Sequence, residues 1–129
     1  MHYGDLRIFK LSAELRDELY KELSQIQFGW KIEDIKQALR SSSSISSNIV
    51  EGYSRRFYPK DFVHFLNISL GSSDETQNHI SALGQKGLLS QEKAAYFLNR
   101  YKTLSIQTLN FFNYWRKKIQ PLSQPSGPQ

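Results

Sequence analysis

The sequence of 129 residues is long enough for one domain and too short for two, and its 39% apolar content is sufficient for a packed core. A net charge of +5 favours an anionic partner such as nucleic acid, although many basic proteins bind none. The absence of cysteine excludes disulfide frameworks, thiol catalysis and thiolate metal sites. The first residues lack a signal-peptide pattern and no apolar run of about 18 residues occurs, so a cytoplasmic location without a membrane partner is expected.

The first predicted helix occupies residues 6–28, where apolar side chains recur at steps of three and four positions. The sequence Phe28-Gly29-Trp30 then interrupts the pattern. Gly29 is expected to adopt the left-handed conformation that ends many helices.

A second apolar stripe, from Ile35 to Ile49, predicts another helix. Its middle is small, with Ser42 and Ser46 on the stripe, which favours close approach of a neighbouring helix. The run from Ser41 to Ser44 is also compatible with a flexible linker, because serine has a weak helix propensity.

A third helix is expected to begin at Pro59, because proline is favoured in the first turn of a helix. Its apolar stripe extends to Leu83 and is also small at its centre. The small positions of the second and third helices are therefore predicted to pack together, with Ser42 and Ser46 against Ser69 and Ser73.

The third helix is expected to end at Gly84 and Gly87, and Ser90 is a suitable N-cap for a fourth helix. The fourth apolar stripe runs from Ala94 to Trp115. Four amphipathic helices with short connections predict an all-α fold, an up-down four-helix bundle.

The predicted bundle spans residues 1–119 and is followed by a tail at 120–129 that is rich in Pro, Ser and Gln. This tail holds three of the four prolines, so it is expected to be disordered. No strand pattern competes with the helical one.

Two stretches resemble the signature segments of a known family: residues 47–55 (SNIVEGYSR) and residues 65–75 (FLNISLGSSDE). They are similar to four-helix bundle proteins encoded in intervening sequences of bacterial 23S ribosomal RNA genes, and the resemblance covers about residues 5–118. That family is in turn similar to the accessory variability protein of diversity-generating retroelements, a basic pentameric barrel that associates with nucleic acid and a reverse transcriptase. The resemblance implies a homo-oligomer, with five subunits as the expected number, and an RNA-linked role.

The two motifs also suggest where copies of the chain would meet. In the first motif, four residues at helical spacing form a stripe that is either a solvated face or a subunit contact containing a Glu51–Arg55 ion pair. In the second motif, Gly71 would admit a neighbouring backbone. The oligomer interface is expected at Asn48, Glu51, Gly52, Gly71 and Glu75.

Residues 53–60 (YSRRFYPK) combine three cations with three aromatic rings, a mixture that can pair with phosphate and stack on unpaired bases. The same residues are compatible with a soluble loop whose rings staple the helix ends. The fourth helix adds basic residues and has no acidic residue after Glu92. The predicted nucleic-acid contacts are Arg55, Arg56, Lys60, Lys93, Arg100, Lys117 and Lys118.

Motifs for catalysis or cofactor binding are absent from the sequence. Di-iron bundles require a Glu-x-x-His pair on each of two helices, whereas Glu75 and His79 are four apart and no second copy exists. His64 and His79 are therefore expected to be surface residues. No catalytic residue, metal or cofactor is predicted, and the leading hypothesis is a non-enzymatic, oligomeric accessory protein for RNA or DNA. The alternative is a structural protein-protein adaptor.

Overall fold

The computed structural model describes residues 2–119. Within them the chain forms four α-helices, two short 3-10 helices and no strand. The elements are α1 (Arg7–Leu23), α2 (Glu33–Ser54), α3 (Pro59–Gln85), α4 (Gln91–Arg116) and the 3-10 turns Tyr3–Asp5 and Gly29–Lys31. The predicted all-helical class and the number of helices are confirmed. The expectation of a disordered tail concerns residues 120–129, which lie outside the described part of the chain.

Three helix boundaries agree with the residues that predicted them. Pro59 is the first residue of α3. An N–H at this position would have no acceptor within the helix, so proline, which lacks the N–H, costs no helical hydrogen bond. Gly87 follows α3 with a φ of +74°, a conformation that disfavours residues with a Cβ. The Ser90 hydroxyl accepts a hydrogen bond from the N–H of Lys93 at 3.1 Å and caps α4.

The connection after α1 differs from the expectation. α1 ends at Leu23, and the left-handed residue that follows is Phe28, with a φ of 56°, and not Gly29. Gly29 is needed for a different reason, because a Cβ there would lie 3.1 Å from Cδ1 of Ile35 and 3.3 Å from the carbonyl oxygen of Leu23. The conformational role expected for Gly29 is therefore wrong, and its small size permits close packing.

Small hydroxyl side chains separate α2 from α3, as the sequence predicted. The hydroxyls of Ser41 and Thr76 lie 2.7 Å apart. Ser69 donates to the carbonyl oxygen of Ile45 at 3.0 Å. Because α2 is helical throughout the serine run, the alternative of a flexible linker is wrong.

The predicted pairing of Ser42 and Ser46 with Ser69 and Ser73 is wrong in its register. Ser46 instead accepts a hydrogen bond from Arg16 of α1 at 3.3 Å. The Ser73 hydroxyl lies 2.7 Å from that of a serine in α4. The physical reason is that α2 is buried on two sides, so its serines contact two different neighbouring helices.

A shared apolar core lies between the four helices. Its largest fully buried side chains come from all of them and include Leu15, Leu19, Ile45, Ile49, Phe62, Leu66, Tyr101 and Leu104. No helix within residues 2–119 is long and apolar enough to cross a bilayer.

Aromatic contacts join the α2–α3 connection to the end of α4. Near the start of α3, the Phe62 ring lies 4.8 Å from Trp115 and 5.6 Å from Phe111, measured between centroids. Tyr53, near the end of α2, lies 6.0 Å from Phe62. The start of α1 lies beside Phe111 as well, because Arg7 and Phe111 line one groove. We call this part of the molecule the turn end; it comprises residues 3–10, 51–62 and 111–118.

Candidate nucleic-acid interface

The α2–α3 turn consists of residues 55–58 and has a hydrogen-bonded backbone. The N–H of Arg56 donates to the carbonyl of Tyr53 at 3.1 Å. The N–H of Tyr58 donates to the carbonyl of Arg55 at 2.8 Å. These bonds restrain the backbone, so the side chains of the turn project from a defined scaffold.

Two of the three aromatic side chains in residues 53–60 face solvent. Phe57 is 78% exposed and Tyr58 is 70% exposed, whereas Tyr53 is 7% exposed and packs on the core. Stapling of the helix ends, which the sequence left open, therefore applies to Tyr53 and leaves the other two rings accessible.

Arg56 lies between an exposed ring and a buried one. Its guanidinium carbon is 4.3 Å from the Tyr53 ring centroid and 4.7 Å from that of Phe57, and Nη1 donates to the Tyr53 carbonyl at 3.1 Å. No carboxylate pairs with Arg56 in the described chain. The guanidinium is thus oriented by its neighbours while its charge stays available to an anion.

The other two cations of residues 53–60 differ in whether a carboxylate lies close to them. Arg55 pairs with Glu51 at 2.9 Å and lies 3.9 Å from a carboxylate oxygen of Asp61, so its charge is partly compensated. The Glu51–Arg55 pair expected from i,i+4 spacing is present. Lys60 is exposed and has no ion pair within residues 2–119.

Two predicted contacts on α4 lie away from the turn end and already have partners. Lys93 pairs with Glu22 of α1, and Arg100 pairs with Glu14 at 3.1 Å. Both cations therefore lie on the side of α4 that faces α1. Their charges are compensated within the chain.

Lys117 and Lys118 follow the end of α4 and belong to the turn end. Lys118 Nζ lies 4.7 Å from the Tyr114 ring centroid and 5.6 Å from that of Trp115. Since Trp115 contacts Phe62 of α3, these lysines lie on the same end as the α2–α3 turn. The structure thus brings five of the seven predicted contacts to one end and separates the other two from it.

The net charge of the protein is concentrated at the turn end. Eight of the 17 Lys and Arg residues and three of the 12 acidic residues lie there, which leaves nine of each elsewhere. Two of these cations, Arg7 and Lys10, could not be predicted from the sequence, because the start of α1 and the end of α4 become neighbours only in the fold. The cations are Arg7, Lys10, Arg55, Arg56, Lys60, Arg116, Lys117 and Lys118, and the carboxylates are Asp5, Glu51 and Asp61.

The residues expected at an oligomer interface occupy different environments. Asn48 is partly buried and donates to the carbonyl of Ser44 at 2.8 Å, and Glu51 is exposed. Gly71 is exposed, with no atom within 4 Å of a Cβ built on it. Glu75 forms an ion pair with Arg40 of α2.

Gly52 does not lie on an outer face, and that expectation is wrong. It is buried by α3, where a Cβ on Gly52 would lie 2.8 Å from Cδ1 of Phe62 and 2.9 Å from Cβ of Phe65. Gly52 therefore serves the contact between α2 and α3 within the chain.

A polar cluster joins α2 and α3 at the opposite end. Nδ1 of His79 lies 3.2 Å from Oδ1 of Asp34, and Lys86 also pairs with Asp34. Hydrogen bonds with Lys86 and His79 hold the pKa of Asp34 below its usual value. The His79 side chain is only 17% exposed, so its assignment as a surface histidine is wrong, whereas His64 is exposed as expected. Among the described residues, no group of three or more His, Asp or Glu residues could hold a metal ion.

Comparisons with known proteins agree with the resemblance noted in the sequence. A family model described as 23S rRNA-intervening sequence protein matches residues 4–109. A crystal structure from Bacteroides thetaiotaomicron, described as a protein with unknown function from the S23 ribosomal protein family, is similar with a TM-score of 0.72. That chain is 25% identical, and the alignment covers 81% of this chain and 97% of that one. A comparison with curated proteins found no match. The chain belongs to the family of 23S rRNA-intervening sequence proteins.

Proposed function

We propose that this protein is a non-enzymatic, oligomeric accessory protein that binds the phosphate backbone of RNA or DNA through the turn end of an up-down four-helix bundle. The observation that carries the proposal is the charge distribution. The formal charge of +5 equals the excess of cations at the turn end, since charges elsewhere balance. A concentrated positive surface attracts a polyanion and gains free energy from counterion release when phosphates bind.

The side chains that would contact phosphate are those without a carboxylate partner. Arg56 is held by the rings of Tyr53 and Phe57, and Lys60 is exposed in the first turn of α3. Lys117 and Lys118 extend the surface from the end of α4. Arg55 is a weaker candidate because two carboxylates lie close to it.

Self-assembly would multiply this surface. Cyclic symmetry places equivalent parts of every subunit in one ring, so the turn ends of several copies would form one extended basic surface. Five copies are the number implied by the family resemblance. Exposed apolar residues on α4, Ile106 at 60% and Leu109 at 45%, together with the open surface at Gly71, support a contact between subunits. A cytoplasmic location stays a prediction from composition.

The same apolar residues favour a second candidate function, a structural adaptor that binds another protein and no nucleic acid. Ile106 and Leu109 are three positions apart on the exposed side of α4, which places them next to each other. An apolar contact does not weaken as salt increases, whereas phosphate binding weakens steeply.

The two functions can be separated by fluorescence anisotropy with labelled single-stranded and structured RNA and DNA at several salt concentrations. The variant Arg55→Ala/Arg56→Ala/Lys60→Ala removes three cations from the turn end. The matched control, Lys21→Ala/Lys31→Ala/Lys36→Ala, removes three cations away from it.

We expect wild-type affinity to fall as salt increases. The turn-end variant should lose about tenfold or more in affinity and show a salt slope reduced by about 2 to 3, while the control stays close to wild type. Equal losses in both variants would contradict a localised site. No binding at low salt would discard the nucleic-acid function and favour the adaptor.

A further inference from the structure

We infer that the α2–α3 turn takes unpaired bases of single-stranded nucleic acid, with Phe57 and Tyr58 as the stacking surfaces. The inference rests on the proposed phosphate-binding function of the turn end. It adds the class of nucleic acid that this surface selects.

The rings of Phe57 and Tyr58 are exposed on a restrained backbone. Phe57 and Tyr58 are adjacent, 78% and 70% exposed, and project from a turn in which the N–H groups of Arg56 and Tyr58 donate backbone hydrogen bonds. These two rings contribute little to the stability of the fold, because most of their apolar surface remains in water. Stacking by a base would bury that surface, and every base has a face suited to it.

The arrangement of the side chains behind Phe57 also favours stacking. The Arg56 guanidinium lies 4.7 Å from the Phe57 ring centroid and 4.3 Å from that of Tyr53, so cation and rings form an ordered set. A nucleic-acid base could then stack on the face of the Phe57 ring that Arg56 leaves open. Because Arg56 is already held by Tyr53, little further side-chain ordering is needed on binding.

Phe57 and Tyr58 would also select single strands over duplexes. The faces of paired bases are covered by their neighbours, so Phe57 and Tyr58 could reach them only after unstacking. Arg56 lies against the Phe57 ring and Lys60 follows Tyr58 by two residues; neither has a carboxylate partner in the described chain, so both can contact the phosphates of a strand whose bases are free. Cations alone would bind both forms, whereas the rings add affinity for unpaired strands only.

A second pair of exposed rings provides a control within the same chain. Phe28 is 60% exposed and Trp30 is 67% exposed, and Lys31 Nζ lies 4.9 Å from the Trp30 ring centroid. These rings follow α1, away from the cation excess of the turn end. Their exposed aromatic surface is similar to that of Phe57 and Tyr58, but they lie outside the region where cations outnumber carboxylates.

The experiment uses full-length protein and three labelled ligands at low salt. These are single-stranded RNA of about 12 nucleotides, single-stranded DNA of the same sequence and a blunt RNA duplex of the same length. Binding is measured for wild type, Phe57→Ala/Tyr58→Ala, Phe28→Ala/Trp30→Ala and the conservative variant Phe57→Tyr/Tyr58→Phe. Photo-cross-linking with 5-iodouridine in the single strand then identifies the contacting residue by mass spectrometry.

We expect Phe57→Ala/Tyr58→Ala to lose about 5- to 100-fold in affinity for a single strand, with duplex affinity unchanged. The conservative variant and the Phe28→Ala/Trp30→Ala control should retain wild-type affinity. Cross-links should map to Phe57 or Tyr58, and tighter binding of either single strand than of the duplex supports the inference.

Two outcomes would overturn the inference and are distinguishable. If Phe57→Ala/Tyr58→Ala binds all ligands like wild type while the cation variant of the turn end loses affinity, the stacking role is wrong and phosphate binding stands. If no ligand binds even at low salt, both proposals are wrong.

Discussion

Gly52 of α2 packs directly against Phe62 of α3: a Cβ on Gly52 would lie 2.8 Å from Cδ1 of the ring. Phe62 is fully buried and cannot turn away without disturbing the core. We expect Gly52→Ala to lower the free energy of unfolding by about 1–3 kcal/mol, because the helices must move apart to accept the methyl group. Urea denaturation followed by circular dichroism measures this change.

Gly71→Ala is the matched control for this steric argument. A Cβ on Gly71 meets no atom within 4 Å, and the residue lies in the interior of α3. Alanine should therefore raise the free energy of unfolding by about 0.5–1 kcal/mol through its better helix propensity. Similar losses in both variants would contradict the local origin of the Gly52 effect.

The open surface at Gly71 also gives a test of self-assembly. We expect Gly71→Leu to reduce the molar mass of the assembled protein to that of one chain, because a branched side chain would hold a neighbouring backbone away. The subunit should stay helical, since the position is exposed. Light scattering coupled to size-exclusion chromatography gives the mass, with Lys36→Leu as a control that adds the same side chain to an exposed position on α2. An unchanged mass for Gly71→Leu would remove this surface from the interface.

The Asp34 carboxylate is expected to make stability depend on pH. Hydrogen bonds with Lys86 and His79 lower its pKa in the folded protein below the usual 3.8. A carboxyl group with a lowered folded pKa contributes stability above its unfolded pKa, and this contribution is lost as pH falls through the folded value. Asp34→Asn should therefore lower the free energy of unfolding by about 1 kcal/mol at pH 7 and by less at pH 3.

Urea denaturation at the two pH values measures the Asp34 effect. Asp74→Asn is a suitable control, because Asp74 is exposed on α3 and has no ion pair among the residues described. An equal loss for Asp34→Asn at both pH values would show that the carboxylate charge is not the cause.

Helix positions could be predicted from the sequence because their signals are local. Pro59, Gly87 and Ser90 act within one turn of the chain, and all three mark helix boundaries in the structure. The rotation of α2 could not be predicted in the same way. Its two buried sides carry Ser41 and Ser42, adjacent residues about 100° apart around the helix, and periodicity alone does not say which serine meets α3.

The sequence also could not show which cations of the candidate site are paired with carboxylates in the fold. The sequence identified the cations at the α2–α3 turn because all three lie within residues 55–60. It could not show that Lys93 and Arg100 have partners, because Glu22 and Glu14 are 71 and 86 positions away. A count of basic residues along α4 therefore predicts a longer basic surface than the folded chain presents.

This difference leads to a prediction about two pairs of cations on the same helix. Lys93→Ala/Arg100→Ala and Lys117→Ala/Lys118→Ala each remove two positive charges from the region of α4. The first pair is already bound to carboxylates of α1, so its loss should change RNA affinity less than about twofold at moderate salt, where distant charges are screened.

The second pair should behave differently because it has no carboxylate partner in the described chain and adjoins the turn end. Its removal should weaken binding and reduce the salt slope by about 1 to 2, which corresponds to two lost phosphate contacts. Anisotropy titrations at several salt concentrations give both quantities. If the two double variants weaken binding equally, RNA responds to the total charge of the protein, and the turn end is not a localised site. If only Lys117→Ala/Lys118→Ala weakens it, the ion pairs between α1 and α4 confine the basic surface to one end of the molecule.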